Sequence, residues 1–187
     1  DVFFKEGIKF IEKNKSKPFF CYISTNAPHS PFNVEKKYRD LYIDKTKSEN
    51  YARFLGMITN IDDNFKILRQ TLKDFKLSQN TILIFMSDNG QTDGQGFGNI
   101  YNSCMKGLKG SEYEGGHRVP FMIYYPDEEI FGGKQIDELT AYVDFMPTLL
   151  ELCQIDAPRD HKFHGSSLIG LIKNKDNHFW NERIIIT

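Results

Sequence analysis

The chain has 187 residues, 40% hydrophobic and 26% charged, with a formal net charge of −1. That is room for one domain of ordinary size with a real core, and it excludes the strongly basic field of a nucleic-acid-binding protein. No apolar run approaches the ~20 residues of a membrane span, and the three cysteines have no CxxC or zinc-finger spacing.

No signal peptide is visible, and the chain begins at Asp1 rather than Met. It ends in Ile184-Ile185-Ile186-Thr187, which reads as the opening of a strand. A chain cut at both ends is expected, so the absent signal peptide says nothing about compartment.

Phe4, Ile8 and Ile11, with Phe3 and Phe10 beside them, predict a helix over residues 2–15, stopped at Lys17-Pro18. Lys13, Lys15 and Lys17 are read as its solvated end. Phe19–Ser24, FFCYIS, predicts a buried strand that runs into the loop Thr25–Pro31. Two prolines flank His29 in that loop. Taken alone, His29 is a surface histidine of a Pro-rich turn or an imidazole held in place for chemistry.

A short helix is expected over Glu35–Tyr42 and a long one over Glu49–Phe75. Phe54, Ile58, Ile61, Phe65, Leu68 and Leu72 mark the buried face of the long helix. Asp62 and Asp63 lie mid-helix and point in different directions, so they are read as surface or local hydrogen-bonding groups. After the connection 77–80 comes Ile82-Leu83-Ile84-Phe85-Met86, an apolar run that ends abruptly in Ser87-Asp88-Asn89-Gly90. Such a run predicts a strand buried on both faces in a parallel sheet, reached by a right-handed crossover. Asp-Asn-Gly is ordinary turn chemistry. It also sets two hard oxygens at a strand's carboxyl end, where α/β sheets bind ligands.

Residues 91–118 are glycine-rich and almost free of large aliphatic side chains. A loop of that length is expected to be functional. It holds Lys106 and Lys109 beside glycines but lacks the Walker order. A third strand is predicted over Val119–Tyr125, a turn over Asp127–Gln135, and a helix over Phe145–Cys153 with Asp144 and Pro147 at its start. A loop follows over Asp156–Gly165 and a short helix over Ser166–Ile172. Cys21 and Cys153 sit in apolar segments and are expected to be buried. Cys104, in a polar loop, is the one candidate reactive thiol.

These segments carry a resemblance. PFFCYISTNAPHSPF is similar to the strand and APH-x-P loop of the sulfatase family, and ILIFMSDNG to its strand and DNG motif. LKGSEYEGGHRVPFMIYYP resembles the family's KG-x-x-YEGG-x-RVP signature, VDFMPTLLELCQI its D-x-x-PT-L segment, and HGSSLIGLI its G-x-SL stretch. The matches keep family order and cover nearly the whole chain from about Phe19.

The resemblance implies an α/β sandwich of helices around a mostly parallel mixed sheet, related to alkaline phosphatase and incomplete here. Residues 1–187 would form the middle-to-late part of a sulfatase catalytic domain. It implies hydrolysis of sulfate esters by a formylglycine nucleophile with Ca2+, or alternatively Mg2+. Asp88 and Asn89 would be metal ligands. His29 would contact the sulfate and leaving-group region, and Lys109 would bind sulfate, with Lys106 as the fallback. Glu114, His117 and Arg118 are read as shaping the loop. A hard cation, a lysine and an imidazole at one sheet edge suit the charge that develops as the S–O bond breaks.

The chain departs from the family pattern in lacking a C/S-x-P-S-R sequence, the early Asp pair, and the lysine and histidine that follow the formylglycine helix. Formylglycine is therefore expected in a missing N-terminal part, and the fragment alone is expected to be inactive. The expected partner is an aryl or carbohydrate sulfate ester, with no nucleic acid and no membrane span. An exported parent, periplasmic or secreted, is implied by resemblance alone. Two alternatives stand: a phosphonate monoester or phosphodiester hydrolase of the same superfamily, and a non-catalytic module that binds sulfated glycans.

Overall fold

The computed structural model describes residues 1–92, 97, 100–173 and 178–185. Ile186 and Thr187, named above, and Gly94, Gly96 and Gly98 of the glycine-rich stretch lie outside the described residues. The chain divides into two units, Asp1–Glu129 and Ile130–Thr187.

In the first unit, α1 (Val2–Asn14) buries Phe4 and Ile11 against Leu68 and Leu72 of the long helix α3 (Glu49–Asp74). Full burial of each such side chain contributes roughly 1.5–3 kcal/mol. The Asp1 carboxylate accepts hydrogen bonds from Asn60 (2.9 Å) and Asn64 (2.7 Å) of α3, which fixes the start of α1. The Ser48 side chain caps α3 by accepting from the Tyr51 N–H. The buried face of α3 includes Phe54, Leu68 and Leu72 as expected, but it runs through Met57 and Asn64, while Ile58 is exposed. The short helix α2 (Lys36–Arg39) lies against α3, where the Tyr38 hydroxyl donates to Asp63 at 3.0 Å. Asp63 is thus a surface group, as expected, but its hydrogen bond reaches across to α2 rather than staying local.

Residues 19–24 do not form the expected strand ladder. Phe19, Cys21 and Ile23 pack on the α1/α3 core, whereas Phe20 and Tyr22 are each 77% exposed. The period of two is that of a strand, but one face is covered and no ladder joins it among the described residues. The strand β1 (Leu83–Met86) pairs with β2 (Phe121–Tyr124), in the register Leu83↔Tyr124 to Met86↔Phe121. That pairing is antiparallel, where the apolar run of β1 suggested a parallel neighbour. Burial on both faces is likewise incomplete, since Met86 and Met122 are exposed. An apolar run reports that a strand is covered, not which strand covers it or in which direction.

The second unit is built on α5 (Phe145–Leu152), preceded by a 3-10 turn over Tyr142–Asp144, and on two four-residue helices, α6 (Ile169–Ile172) and α7 (His178–Asn181). Ile130, Leu152, Leu168, Ile169, Leu171 and Trp180 are buried. Its polar centre is Asp144, fully buried, which accepts from the backbone of Ala141 (2.8 Å) and Ser166 (2.9 Å) and from both terminal nitrogens of Arg183 (2.8 and 2.6 Å). Gly165 is required beside it, because a Cβ there would overlap the Val143 carbonyl. The expected opening strand at the chain's end is not present over residues 184–185, and α7 was not foreseen. Cys153, expected to be buried, is exposed at the C-terminal cap of α5, beyond the buried Thr148 and Leu152. Cys21 is half-buried, and burial raises its thiol pKa; Cys104 is exposed. Among the described residues no helix is long and apolar enough to cross a membrane.

Candidate active site

The segment after β1 is held by backbone contacts. The Gly90 N–H donates to the Gly116 carbonyl at 2.9 Å, and the Ser87 N–H to the Pro120 carbonyl at 3.3 Å. A Cβ at Gly90 would overlap the Gly115 carbonyl, so only glycine lets the two strands of backbone approach this closely. Asp88 is exposed and Asn89 half-buried. The Asn89 amide donates to Asp88 Oδ1 at 3.1 Å. Asp88 Oδ2 and Asn89 Oδ1 then accept no hydrogen bond from the described residues, which leaves one hard oxygen on each of two adjacent residues.

Lys109 is brought to the same place by its main chain. Its N–H donates to the Gln91 carbonyl at 2.7 Å, one residue past Gly90. Its ammonium is exposed and has no ion pair among the described residues. Lys106 differs: its ammonium sits 3.6 Å from the centre of the Tyr113 ring and is engaged there. The geometry therefore favours Lys109 over Lys106 as the free cation.

Two residues that sequence reasoning did not single out hold this loop. The Asn102 amide donates to the carbonyls of Gly107 (2.7 Å) and Met105 (3.3 Å), and the Ser111 hydroxyl accepts from the Leu108 N–H (3.1 Å). Their signal was available: Asn and Ser among glycines, in a loop without aliphatic anchors, are placed to bond the backbone. Glu114 and Arg118 form an exposed i,i+4 pair at 3.0 Å from the first residue of the short helix α4 (Glu114–His117) to its C-terminal cap, which fits a loop-shaping role.

His29 is held in a different manner. Its N–H donates to the Asn26 carbonyl, and ring Nδ1 donates to the Ser30 carbonyl at 2.8 Å. That bond fixes the tautomer and leaves Nε2 for a ligand. The imidazole is exposed and bonds only within its own loop among the described residues. The link to the Asp88 side runs through an aromatic cluster. Phe32, three residues past His29, packs on Phe54 of α3 (6.0 Å, edge-on) and on Phe97 (5.0 Å), and Phe97 stacks on Tyr51 (5.1 Å). Phe97 belongs to the loop that follows Asp88-Asn89-Gly90. The two loops are thus pinned to one end of one helix.

Among the described residues no three His, Cys, Asp or Glu side chains gather as a metal site. Asp88 and Asn89 are the right kind of donor for Ca2+ or Mg2+, but they are two where Ca2+ takes roughly six to eight oxygens.

The Sulfatase family model matches residues 1–155. The arylsulfatase of Clostridium perfringens (strain 13 / Type A) is 33% identical over 215 residues, covering 96% of this chain and 42% of that protein. The crystal structure of Ps i-CgsB in complex with k-i-k-neocarrahexaose matches with a TM-score of 0.85 at 30% identity, over 95% of this chain and 39% of that one. The phosphonate monoester hydrolase of Agrobacterium radiobacter matches with a TM-score of 0.73 at 21% identity, over 95% and 42%, a likeness of fold alone. In each case the chain spans less than half of the relative's length.

Proposed function

The chain belongs to the sulfatase family and carries part of that family's α/β fold, and on that premise we propose that it supplies one side of the active site of a sulfuric ester hydrolase. The observation that carries the reading is Lys109, an ammonium free of ion pairs among the described residues and tied by its backbone to Gln91 beside the Asp88-Asn89-Gly90 turn. A sulfate monoester is an anion, and Lys109 pairs with its oxygens. His29 keeps Nε2 for the substrate. In its protonated form it donates to the sulfate or to the leaving oxygen as the S–O bond breaks. Asp88 and Asn89 would hold the divalent cation, Ca2+ or alternatively Mg2+, with the remaining ligands supplied from outside the described residues. When bound, such a cation supplies positive charge at the sulfate oxygens.

The chain contains no C/S-x-P-S-R sequence. The formylglycine would come from elsewhere in the parent polypeptide, and this chain alone does not turn over. The ester is an aryl or carbohydrate sulfate, and the parent is exported.

The test is hydrolysis of a chromogenic aryl sulfate and of a matched phosphonate monoester by the full-length parent and by this chain alone. The parent is expected to prefer the sulfate ester. His29→Ala is expected to lower its kcat/KM by roughly 10²–10⁴-fold, and the isolated chain is expected to show no turnover. A parent that prefers the phosphonate ester overturns the sulfatase reading in favour of the phosphonate one. A parent inert to both leaves the glycan-binding module.

A further inference from the structure

Lys109 stands at the second position of the turn 108–111, which the Ser111 N–H closes onto the Leu108 carbonyl at 2.9 Å. Gly110, at the third position, has a φ of 87°, the left-handed conformation that such a turn takes at glycine. We propose that Asn102 is the positioning residue for this turn: its carboxamide sets where the Lys109 ammonium lies relative to Asp88 and Asn89. The inference rests on the sulfatase reading, in which Lys109 binds the sulfate, and adds to it the residue that aims the lysine.

Residues 101–113 belong to no helix or strand, so their carbonyls have no ladder to join. The half-buried Asn102 takes up two of them. Its amide donates to Gly107 at 2.7 Å and to Met105 at 3.3 Å, and the Met105 N–H returns to the Asn102 carbonyl at 2.9 Å. A carboxamide nitrogen carries two hydrogens, so it serves both carbonyls without placing a charge beside the lysine. An ionised aspartate cannot donate, and a serine donates once. None of residues 101–113 is part of the buried hydrophobic core. What Asn102 holds is therefore the path of the loop and not the packing of the unit.

The same amide is locked against α4. A Cβ at Gly115 would overlap both the Gly107 carbonyl and the Asn102 amide nitrogen, and the Gly115 N–H donates to the Lys106 carbonyl at 2.8 Å. Gly115 is also the residue whose carbonyl a Cβ at Gly90 would strike. Asn102, Gly107, Gly115 and Gly90 thus form a continuous line of close contact from the lysine turn to the Asp88-Asn89-Gly90 turn. A lysine side chain is a flexible stem, so a fixed main chain is what limits the region its ammonium searches. Charge stabilisation depends on that preorganisation, and a misplacement of about 1 Å costs roughly 10²-fold in rate.

The experiment uses the full-length parent carrying Asn102→Ala or Asn102→Leu, each alone and together with Lys109→Ala. The leucine keeps the bulk of the side chain and has no donor, which guards against a collapse of the loop. Two quantities are measured well below the lowest Tm of the set: kcat/KM for a chromogenic aryl sulfate, and Ki for inorganic sulfate as a competitive inhibitor. Each Asn102 variant alone is expected to lower kcat/KM by roughly 10- to 10²-fold and to raise Ki by a similar factor. In the Lys109→Ala background the same substitutions are expected to leave both quantities unchanged, because the group they aim is gone. Equal losses in the two backgrounds, or Asn102 variants with the wild-type kcat/KM and Ki, overturn the positioning role and leave the sulfatase reading standing. A Lys109→Ala parent that turns over the ester and binds sulfate like the wild type overturns the Lys109 assignment, and the role of Asn102 falls with it.

Discussion

Asp88, in the turn after β1, and Asp144, just before α5, are used by the molecule in opposite ways. Asp144 is fully buried, and its two oxygens accept four hydrogen bonds, two from backbone and two from Arg183. Asp88 is exposed, and one of its oxygens meets only the neighbouring Asn89 amide. Around Asp144 the polar groups are saturated and nothing is left for a ligand. Beside Asp88 the backbone is tied down, through Gly90, Gly116, Gln91 and Lys109, while Asp88 Oδ2 and Asn89 Oδ1 accept no hydrogen bond from the described residues. A shifted pKa would point to the wrong aspartate. Burial raises Asp144's carboxyl, but Arg183 and the Ala141 and Ser166 N–H groups together outweigh it and hold the group below the ordinary carboxylate range. Perturbed titration marks functional sites only in probability, and here it marks a staple.

The comparison predicts its own largest break. Asp144→Ala leaves the buried Arg183 guanidinium without its carboxylate and is expected to destabilise the second unit by about 3–5 kcal/mol, read as a lowered midpoint in denaturant. Asp88→Ala removes a half-satisfied exposed side chain and is expected to cost less than about 0.5 kcal/mol. Equal losses at the two positions would dissolve the distinction.

A second effect, next in size, concerns the backbone of the site. Gly90→Ala forces a Cβ into the Gly115 carbonyl and is expected to cost about 1–3 kcal/mol through displaced backbone. It would also move the lysine loop, so the parent's kcat/KM is expected to fall together with its Tm.

The pH dependence is smaller and has a definite sign. The folded-state pKa of Asp144 lies below its unfolded value, so its contribution is present above the unfolded pKa, about 3.9. It is lost as pH falls from there through the lower folded value. Denaturation midpoints should therefore drop below about pH 4 in the wild type, and Asp144→Asn should flatten that drop. The exposed Glu114–Arg118 pair stands at the weak end: Arg118→Ala is expected to change stability by no more than about 0.5 kcal/mol.

The same contrast shows how far the sequence could be read. The helices α1 and α3 were legible because apolar residues recur at threes and fours, and α5 because Asp144 and Pro147 suit a helix start. The lysine loop, the Asp88-Asn89-Gly90 turn and the His29 loop were legible as motifs, since their residue types carry the chemistry locally. What pairs with what was not. The antiparallel partner of β1 lies 35 residues further on, and an apolar run does not encode it. Residues 19–24 keep a strand's alternation, but Phe20 and Tyr22 show that a run can be apolar on a face left open. Asp144 read as a favourable residue near a helix start, because its partner Arg183 is 39 residues away and nothing local announces the pair. In the α3 stripe, Ile58 is expected in the core, but it is exposed and its neighbour Met57 is buried.

The most direct test of the active-site reading sets Lys109 against Lys106 in the full-length parent. Both are exposed lysines of one loop, but only Lys109 has an ammonium free of the Tyr113 ring. Steady-state hydrolysis of an aryl sulfate is measured for Lys109→Ala and Lys106→Ala alongside their melting temperatures. Loss of a positioned charge-stabilising group is expected to cost Lys109→Ala roughly 10²–10³-fold in kcat/KM with Tm unchanged, and Lys106→Ala no more than a few-fold. The reverse order, or equal losses that follow Tm, would contradict the assignment of Lys109 as the sulfate-binding cation.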